Sequence, residues 1–538
     1  MVKKTARAAL SLALALGVAA TATVVGACGG GQEKPVPESS VVRTDGGLVR
    51  GVSKGAVRVF EGMRYAAPPT GERRWAPPEP AESWAGVRDA TAPGAACPQT
   101  GLIPPAGPRS DTEDCLFLNV TTPRGGSAAA RPVMVYLHGG DHTDGEGAMH
   151  GADRLSARGD VVVVTLNYRL GALGYLAHPT LERDGRGESG NYGFLDQQAA
   201  LRWVRSNASA FGGDPENVTL FGQSAGASST CAHLVAPSSA GLFDRVILQS
   251  GSCLGEEGVR TRPEALRDGR RSADETGRAQ DRDWRKARPA QLVNPFGQGP
   301  AYGPVYGGEL LPRTPAEAFA AGDFNKVPVL QGFTGEEGRA GVYAAEEMKK
   351  AVTGDPGARL DEADYLERLT EEFGEEWAAE VAARYPVAAR PGAPALALGD
   401  VLTDSGLGRL AIESNRALAR QVRTYTYTFD DRETPWYADE EAYPKPSFPM
   451  GASHTFELPY LFELEEIAPL DEAQRALSEV MIRTWSRFAR TGTTDWAPGT
   501  PASANARSFA SGPGGVRSVD LAEEHRFGFW KSLPEARS

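Results

Sequence analysis

The stretch Val218-Thr219-Leu220-Phe221-Gly222-Gln223-Ser224-Ala225-Gly226 joins a short apolar run to a Gly-x-Ser-x-Gly turn, and an Ala/Ser-rich segment follows. A buried strand that turns sharply into a helix holds such a serine with its hydroxyl exposed at the C-terminal end of a sheet. Glycines on both sides relieve the crowding that side chains would create in so tight a turn. The N-terminus of the following helix adds partial positive charge, which favours a developing oxyanion. Four further apolar runs, at 133–137, 161–166, 246–248 and 327–330, repeat the pattern of 218–221. Strands apolar on both faces belong to parallel sheets covered by helices. The segment 196–211 supplies one such helix, with Ala199, Ala200, Trp203, Val204 and Ala208 near a 3.6-residue period. Buried strands alternating with helices predict an α/β fold with a central, mostly parallel sheet. Ahead of it, 41–52 and 56–60 read as a hairpin and 116–120 as another short strand.

A serine nucleophile needs a base and an acid that orients it, and in this architecture they follow in the order Ser, Asp or Glu, His. Of the seven histidines, only His233, His454 and His525 lie after Ser224. His233 falls on the helix just after the serine and leaves no room for an acid between. His525 sits in a charged run near the C-terminus. His454, in a Gly-Ala-Ser-His-Thr loop before the apolar 456–460, is the expected base. The acid should follow a buried strand, and the strand near 327–333 ends in Gly335-Glu336-Glu337-Gly338. Spacing leaves Glu336 and Glu337 both open; the unused one reads as a solvated loop charge.

These residues fall into a known pattern. The run 211–226, the second signature Glu113-Asp114-Cys115-Leu116-Phe117-Leu118-Asn119-Val120, Asn167-Tyr168-Arg169-Leu170-Gly171, Gly190-Asn191-Tyr192-Gly193 and the segment 485–492 resemble the type-B carboxylesterases, a family that includes cholinesterases and para-nitrobenzyl esterases. The resemblance runs from about residue 41 to the C-terminus. It implies one large α/β-hydrolase domain; the segments 255–295 and 340–400, crowded with Arg, Glu and Asp, read from composition as charged insertions, a helical cap or a solvated face. Residue by residue it implies Ser224 as nucleophile, Glu337 as acid, His454 as base and Ser250 as a serine supporting the acid. It implies ester hydrolysis through an acyl-enzyme, a small-molecule ester as substrate, and no metal or organic cofactor. It also suggests a Cys97–Cys115 bridge.

Two positions depart from the family pattern. The loop after the first long strand usually carries Gly-Gly-Gly or Gly-Gly-Ala; here it is Gly139-Gly140-Asp141-His142. Backbone N–H groups of Gly140, Asp141 and Ala225 would form the oxyanion hole, and an Asp141 carboxylate pointing inward would oppose it. Gln223 stands where the family commonly has Glu, which removes a negative charge beside the nucleophile and any special preference for cationic esters. The same fold also serves non-catalytic binding proteins, a rival that Asp141 alone supports, and the same triad serves lipases and amidases.

The chain begins with Lys3, Lys4 and Arg7, then an uncharged stretch from 8 to 32. A basic start, an apolar middle and small residues before a cut site make an export signal, expected over 1–27. Val25-Gly26-Ala27-Cys28 resembles a lipobox, with Cys28 as the lipidated residue and 28–40 as a flexible tether. The expected address is outside the cytoplasmic membrane, anchored by lipid or secreted, with no other membrane contact. Five cysteines fit it: with Cys28 lipidated, sequence neighbours Cys97 with Cys115 and Cys231 with Cys253 are the expected bridges. The charge of -12 over 538 residues, with no basic stripe, excludes a dedicated nucleic-acid binder, and 41% hydrophobic residues exclude a mainly disordered chain.

Overall fold

The five apolar runs lie next to one another in space. The computed structural model describes residues 39–101, 107–125, 129–182, 187–255, 259–275, 284–293, 301–387 and 392–533. The export signal, Cys28 and nearly all of the tether lie outside the described residues. Fifteen strands are present among them: β1 (Ser39–Thr44), β2 (Gly47–Lys54), β3 (Val57–Arg64), β4 (Val87–Asp89), β5 (Phe117–Pro123), β6 (Arg131–Leu137), β7 (Val162–Leu166), β8 (Gly213–Gln223), β9 (Arg245–Gln249), β10 (Arg260–Thr261), β11 (Val305–Tyr306), β12 (Val329–Thr334), β13 (Thr424–Phe429), β14 (Asn505–Phe509) and β15 (Arg517–Asp520). The main sheet runs β1-β2-β3-β5-β7-β6-β8-β9-β12-β13-β14-β15, with β4 beside β2, while β10 and β11 form a separate pair. From β7 to β14 every neighbouring pair is parallel. The outer strands are mainly antiparallel. This is the α/β-hydrolase arrangement, and the five runs fall on β6, β7, β8, β9 and β12, with Val161 and Val327-Pro328 just ahead of β7 and β12.

Burial explains why those runs were legible. Every residue of β6 and β7 is buried. Val133, Val135 and Leu137 face one core, shared with Phe194 and Leu201 of the helix Tyr192–Asn207 and Ala227 of the helix Ala225–Val235. Met134 and Tyr136 face the other, shared with Met481, Trp485 and Phe488 of the helix Glu472–Thr491. Each such side chain contributes about 1.5–3 kcal/mol on full burial. The N-terminal reading needs adjustment: 41–52 folds back on itself at Asp45-Gly46, so β1, β2 and β3 form a three-stranded meander rather than one hairpin.

The two charged segments differ. The helices Arg339–Thr353, Glu362–Arg384 and Ala393–Thr403 bury Val342, Tyr365, Leu369, Val381 and Val401 in a core shared with Phe448, Met450 and Phe456. That core packs against the loop carrying His454, so the 340–400 segment is more than a solvated face. The helix Arg262–Glu275 contributes buried Ala265 to a small cluster with Ala177 and Val305. Among the described residues no helix is long and apolar enough to cross a membrane.

Candidate active site

Ser224 stands between β8 and the helix Ala225–Val235 with φ 55° and ψ -123°. A left-handed φ on a non-glycine residue costs on the order of 1–3 kcal/mol, and the surroundings must enforce it. Backbone does so here: Ser224 N–H donates to Gln249 O at 2.9 Å, and Ser228 N–H donates to Ser224 O at 3.0 Å. The flanking glycines serve close approach. A Cβ on Gly222 would lie 2.4 Å from the Gly226 backbone, and one on Gly226 would lie 2.0 Å from Leu137 O. The serine turn thus presses directly on the end of β6.

Of the two glutamates after β12, Glu337 is the one hydrogen-bonded to His454. Its Oε2 accepts from Thr334 N–H at 2.8 Å, from the Thr334 hydroxyl, and from Ser250 Oγ at 3.2 Å. Its Oε1 is hydrogen-bonded to His454 Nδ1. That carboxylate fixes the proton on Nδ1 and leaves a lone pair at Nε2. Nε2 points to the serine turn, where the Gln223 side-chain nitrogen lies 3.1 Å away. Glu336 is not the solvated charge expected of the unused glutamate. It is buried, accepts from Ala452 N–H at 2.8 Å, and pairs with Arg339 at 2.7 Å and Arg432 at 3.1 Å. Through Ala452 it ties down the loop that carries His454.

Burial pulls the His454 pKa down, but the charge and hydrogen bond of Glu337, helped by the charge of Glu457, outweigh it and leave it raised. Glu457 is a fully buried acid one turn after His454. Burial first, then the charge of Glu337, pushes its pKa up to about 7. Its Oε1 accepts from Gln249 Nε2 at 3.2 Å, and Gln249 Oε1 accepts from Trp485 Nε1 at 3.2 Å. Thr334, Gln249 and Glu457 escaped the sequence reading. Signals existed: a hydroxyl residue three positions before the acid, and a lone Glu inside the apolar run 456–460.

The loop after β6 is the third component. Gly140 has φ 98°, and a Cβ there would lie 2.2 Å from Asp144 O. Asp141 and His142 both have left-handed φ, 54° and 55°. This is the physical reason for small residues here, and both side chains bear the strain. Asp141 is exposed. His142 is buried and turned away from solvent; its Nε2 meets Ser229 Oγ at 3.0 Å on the helix after Ser224. Burial lowers its pKa to about 3, so it is neutral. Gly139 lies against the serine turn: a Cβ there would be 2.8 Å from Gln223 Oε1 and 3.1 Å from Ser224 Cβ. The Gly139–Asp141 loop and the helix start at Ala225 therefore border one space.

Both expected disulfides are present. Cys97–Cys115 closes a loop whose Gln99 braces the strained segment, accepting from Gly145 N–H at 2.7 Å and donating to Gly145 O at 3.1 Å. Cys231–Cys253 ties the helix after Ser224 to the loop after Ser250. A loop of about 20 residues is worth about 3 kcal/mol in the chain-entropy model. Of the other late histidines, His233 is buried on Gln197 and Ser239, and His525 is buried against Asp404. Among the described residues no group of three or more His, Cys, Asp or Glu is arranged to hold a metal ion.

Comparison with known proteins fits this geometry. Residues 38–511 match the model of the carboxylesterase family. The chain is 35% identical over 474 residues to a para-nitrobenzyl esterase of Bacillus subtilis (strain 168), covering 84% of this chain and 90% of that one. It is 38% identical over 351 residues to a fumonisin B1 esterase of Sphingopyxis macrogoltabida, covering 62% and 61%. Among solved structures, a thermophilic PNB esterase superposes with a TM-score of 0.73 at 30% identity, covering 91% of this chain and 99% of that one. A second PNB esterase gives 0.71 at 30% identity and the same coverage. An α/β-hydrolase sheet, a strained serine turn facing a His–Glu pair, and a family match across most of the sequence converge: the chain belongs to the carboxylesterase family and is a carboxylic ester hydrolase.

Proposed function

We propose that this hydrolase works through an acyl-enzyme, with Ser224 as nucleophile, His454 as general base and Glu337 as the orienting acid. The observation that carries it is the His454–Glu337 hydrogen bond, with Nε2 aimed at the strained serine turn. His454 Nε2 takes the proton as Ser224 Oγ attacks the ester carbonyl. Glu337 holds the Nδ1–H tautomer and stabilises the imidazolium. Backbone N–H groups of Gly140, Asp141 and Ala225 receive the tetrahedral oxyanion. Donation needs backbone only, and the exposed Asp141 side chain is compatible with it. His454 then protonates the leaving alcohol and activates water for deacylation. The built Glu337–His454 pair favours this over a non-catalytic binding role.

Residues 41–538 form the catalytic domain in this reading, and 1–27 direct export. The two disulfides support an oxidising compartment. Lipid on Cys28 is the proposed anchor; labelled palmitate incorporation that persists in Cys28→Ala would contradict it. The test of function is hydrolysis of short para-nitrophenyl esters by residues 36–538, beside Ser224→Ala. Turnover lost by at least about a thousand-fold in the variant is expected. Equal rates in two folded proteins would defeat the proposal.

A further inference from the structure

His454 Nε2 makes a contact that takes no part in the steps above. With the proton on Nδ1, the lone pair at Nε2 can only accept. Among the described residues it is Gln223, not Ser224, that meets Nε2, through the side-chain nitrogen at 3.1 Å. The opposite amide orientation would set an oxygen lone pair against a nitrogen lone pair, so the N–H must face the ring. The amide is confined at both ends. Gln223 is 2% exposed. Its Oε1 lies against Gly139, where even a methyl group would approach to 2.8 Å.

Resting on the serine-esterase reading, we propose that Gln223 is a positioning residue for the base: its amide holds Nε2, favours the neutral imidazole, and gives up its place to the Ser224 hydroxyl when substrate is bound. The physical argument is direct. A donor to the lone pair stabilises the neutral ring alone, because Nε2 of the imidazolium is itself protonated. The Glu337 carboxylate, from the turn after β12, acts on the ring in the opposite sense, and Glu457, in the same loop as His454, joins it only where it ionises, above about pH 7. Gln249 and Ser250 at the end of β9 are uncharged. Glu336 reaches the same loop at Ala452 but is paired with Arg339 and Arg432. Position 223 is therefore the contact from β8 that decides whether a further negative charge joins Glu337 at the ring.

The experiment compares the parent with Gln223→Met, which removes the donor, and Gln223→Glu, which adds charge. Two readouts are taken: the acid limb of kcat/KM for para-nitrophenyl acetate, and the NMR titration of the His454 ring, assigned by its loss in His454→Gln. Both midpoints should rise in the order Gln, Met, Glu, with Glu higher than the parent by about one to two pH units. Coincident midpoints in folded variants would overturn the proposal and reduce Gln223 to a filler of space. The NMR titration needs no turnover. An ordered shift in a chain that hydrolyses no ester would overturn the esterase reading and leave the hydrogen bond standing.

Discussion

The two halves of the site are held in different ways. The serine half is fixed by backbone: a strand end, a left-handed residue, a helix start, and two glycines whose neighbours leave no room for a methyl group. The half carrying Glu337 and His454 is fixed by side chains on irregular segments: Thr334 and Ser250 on Glu337, Glu337 on His454, Glu336 on Ala452, Gln249 on Glu457. Backbone constraints leave short local motifs. Side-chain constraints join residues more than a hundred positions apart, as from Glu337 to His454.

The sharpest break falls on the side-chain half. Glu337→Gln keeps the volume but lets an amide N–H face Nδ1, which favours the wrong tautomer. A kcat about a thousand- to ten-thousand-fold lower is expected, with little change in KM. A loss below tenfold in steady-state kinetics would mean that Glu337 does not orient the base.

Glu457→Gln tests the buried acid beside it. The folded pKa of Glu457, about 7, lies above the ordinary 4.5, so its contribution is fully present below pH 4.5 and lost as pH rises through 7. The neutral variant escapes that loss. Denaturant unfolding should find the two proteins alike near pH 4 and the variant more stable by up to about 3 kcal/mol near pH 9. A gap that does not vary with pH would show that Glu457 is not a neutral buried acid.

Ser250→Ala is the mildest case. It removes one of the three hydrogen bonds on Glu337 Oε2, and Thr334 keeps two. A kcat/KM lower by about three- to tenfold is expected, the worth of one such bond. A loss as large as that of Glu337→Gln would make Ser250 part of the machinery itself.

The same contrast explains what was legible in the sequence. β6 to β9 and β12 are apolar on both faces and could be read directly. β13, Thr-Tyr-Thr-Tyr-Thr-Phe, is equally buried but alternates, and its threonines are satisfied by partners such as Asn415 and Asp430. No local pattern announces that. The motif and chain order point to Ser224 and His454, and the fold brings the serine turn and the His454 ring together. The choice of Glu337 over Glu336 needed the family pattern, because both are buried and both reach the His454 loop. Glu336 was misread because its partners Arg339, Arg432 and Ala452 come together only in the fold.

The central claim is that Ser224 becomes covalently bonded to the substrate's acyl group. Diethyl para-nitrophenyl phosphate tests it directly: a serine activated by His454 displaces para-nitrophenolate and keeps the diethylphosphoryl group. One equivalent of para-nitrophenolate per chain is expected, with the added mass on the peptide containing Ser224 and none in Ser224→Ala or His454→Gln. Labelling at another residue, or equal labelling of the Ser224→Ala chain, would contradict the account.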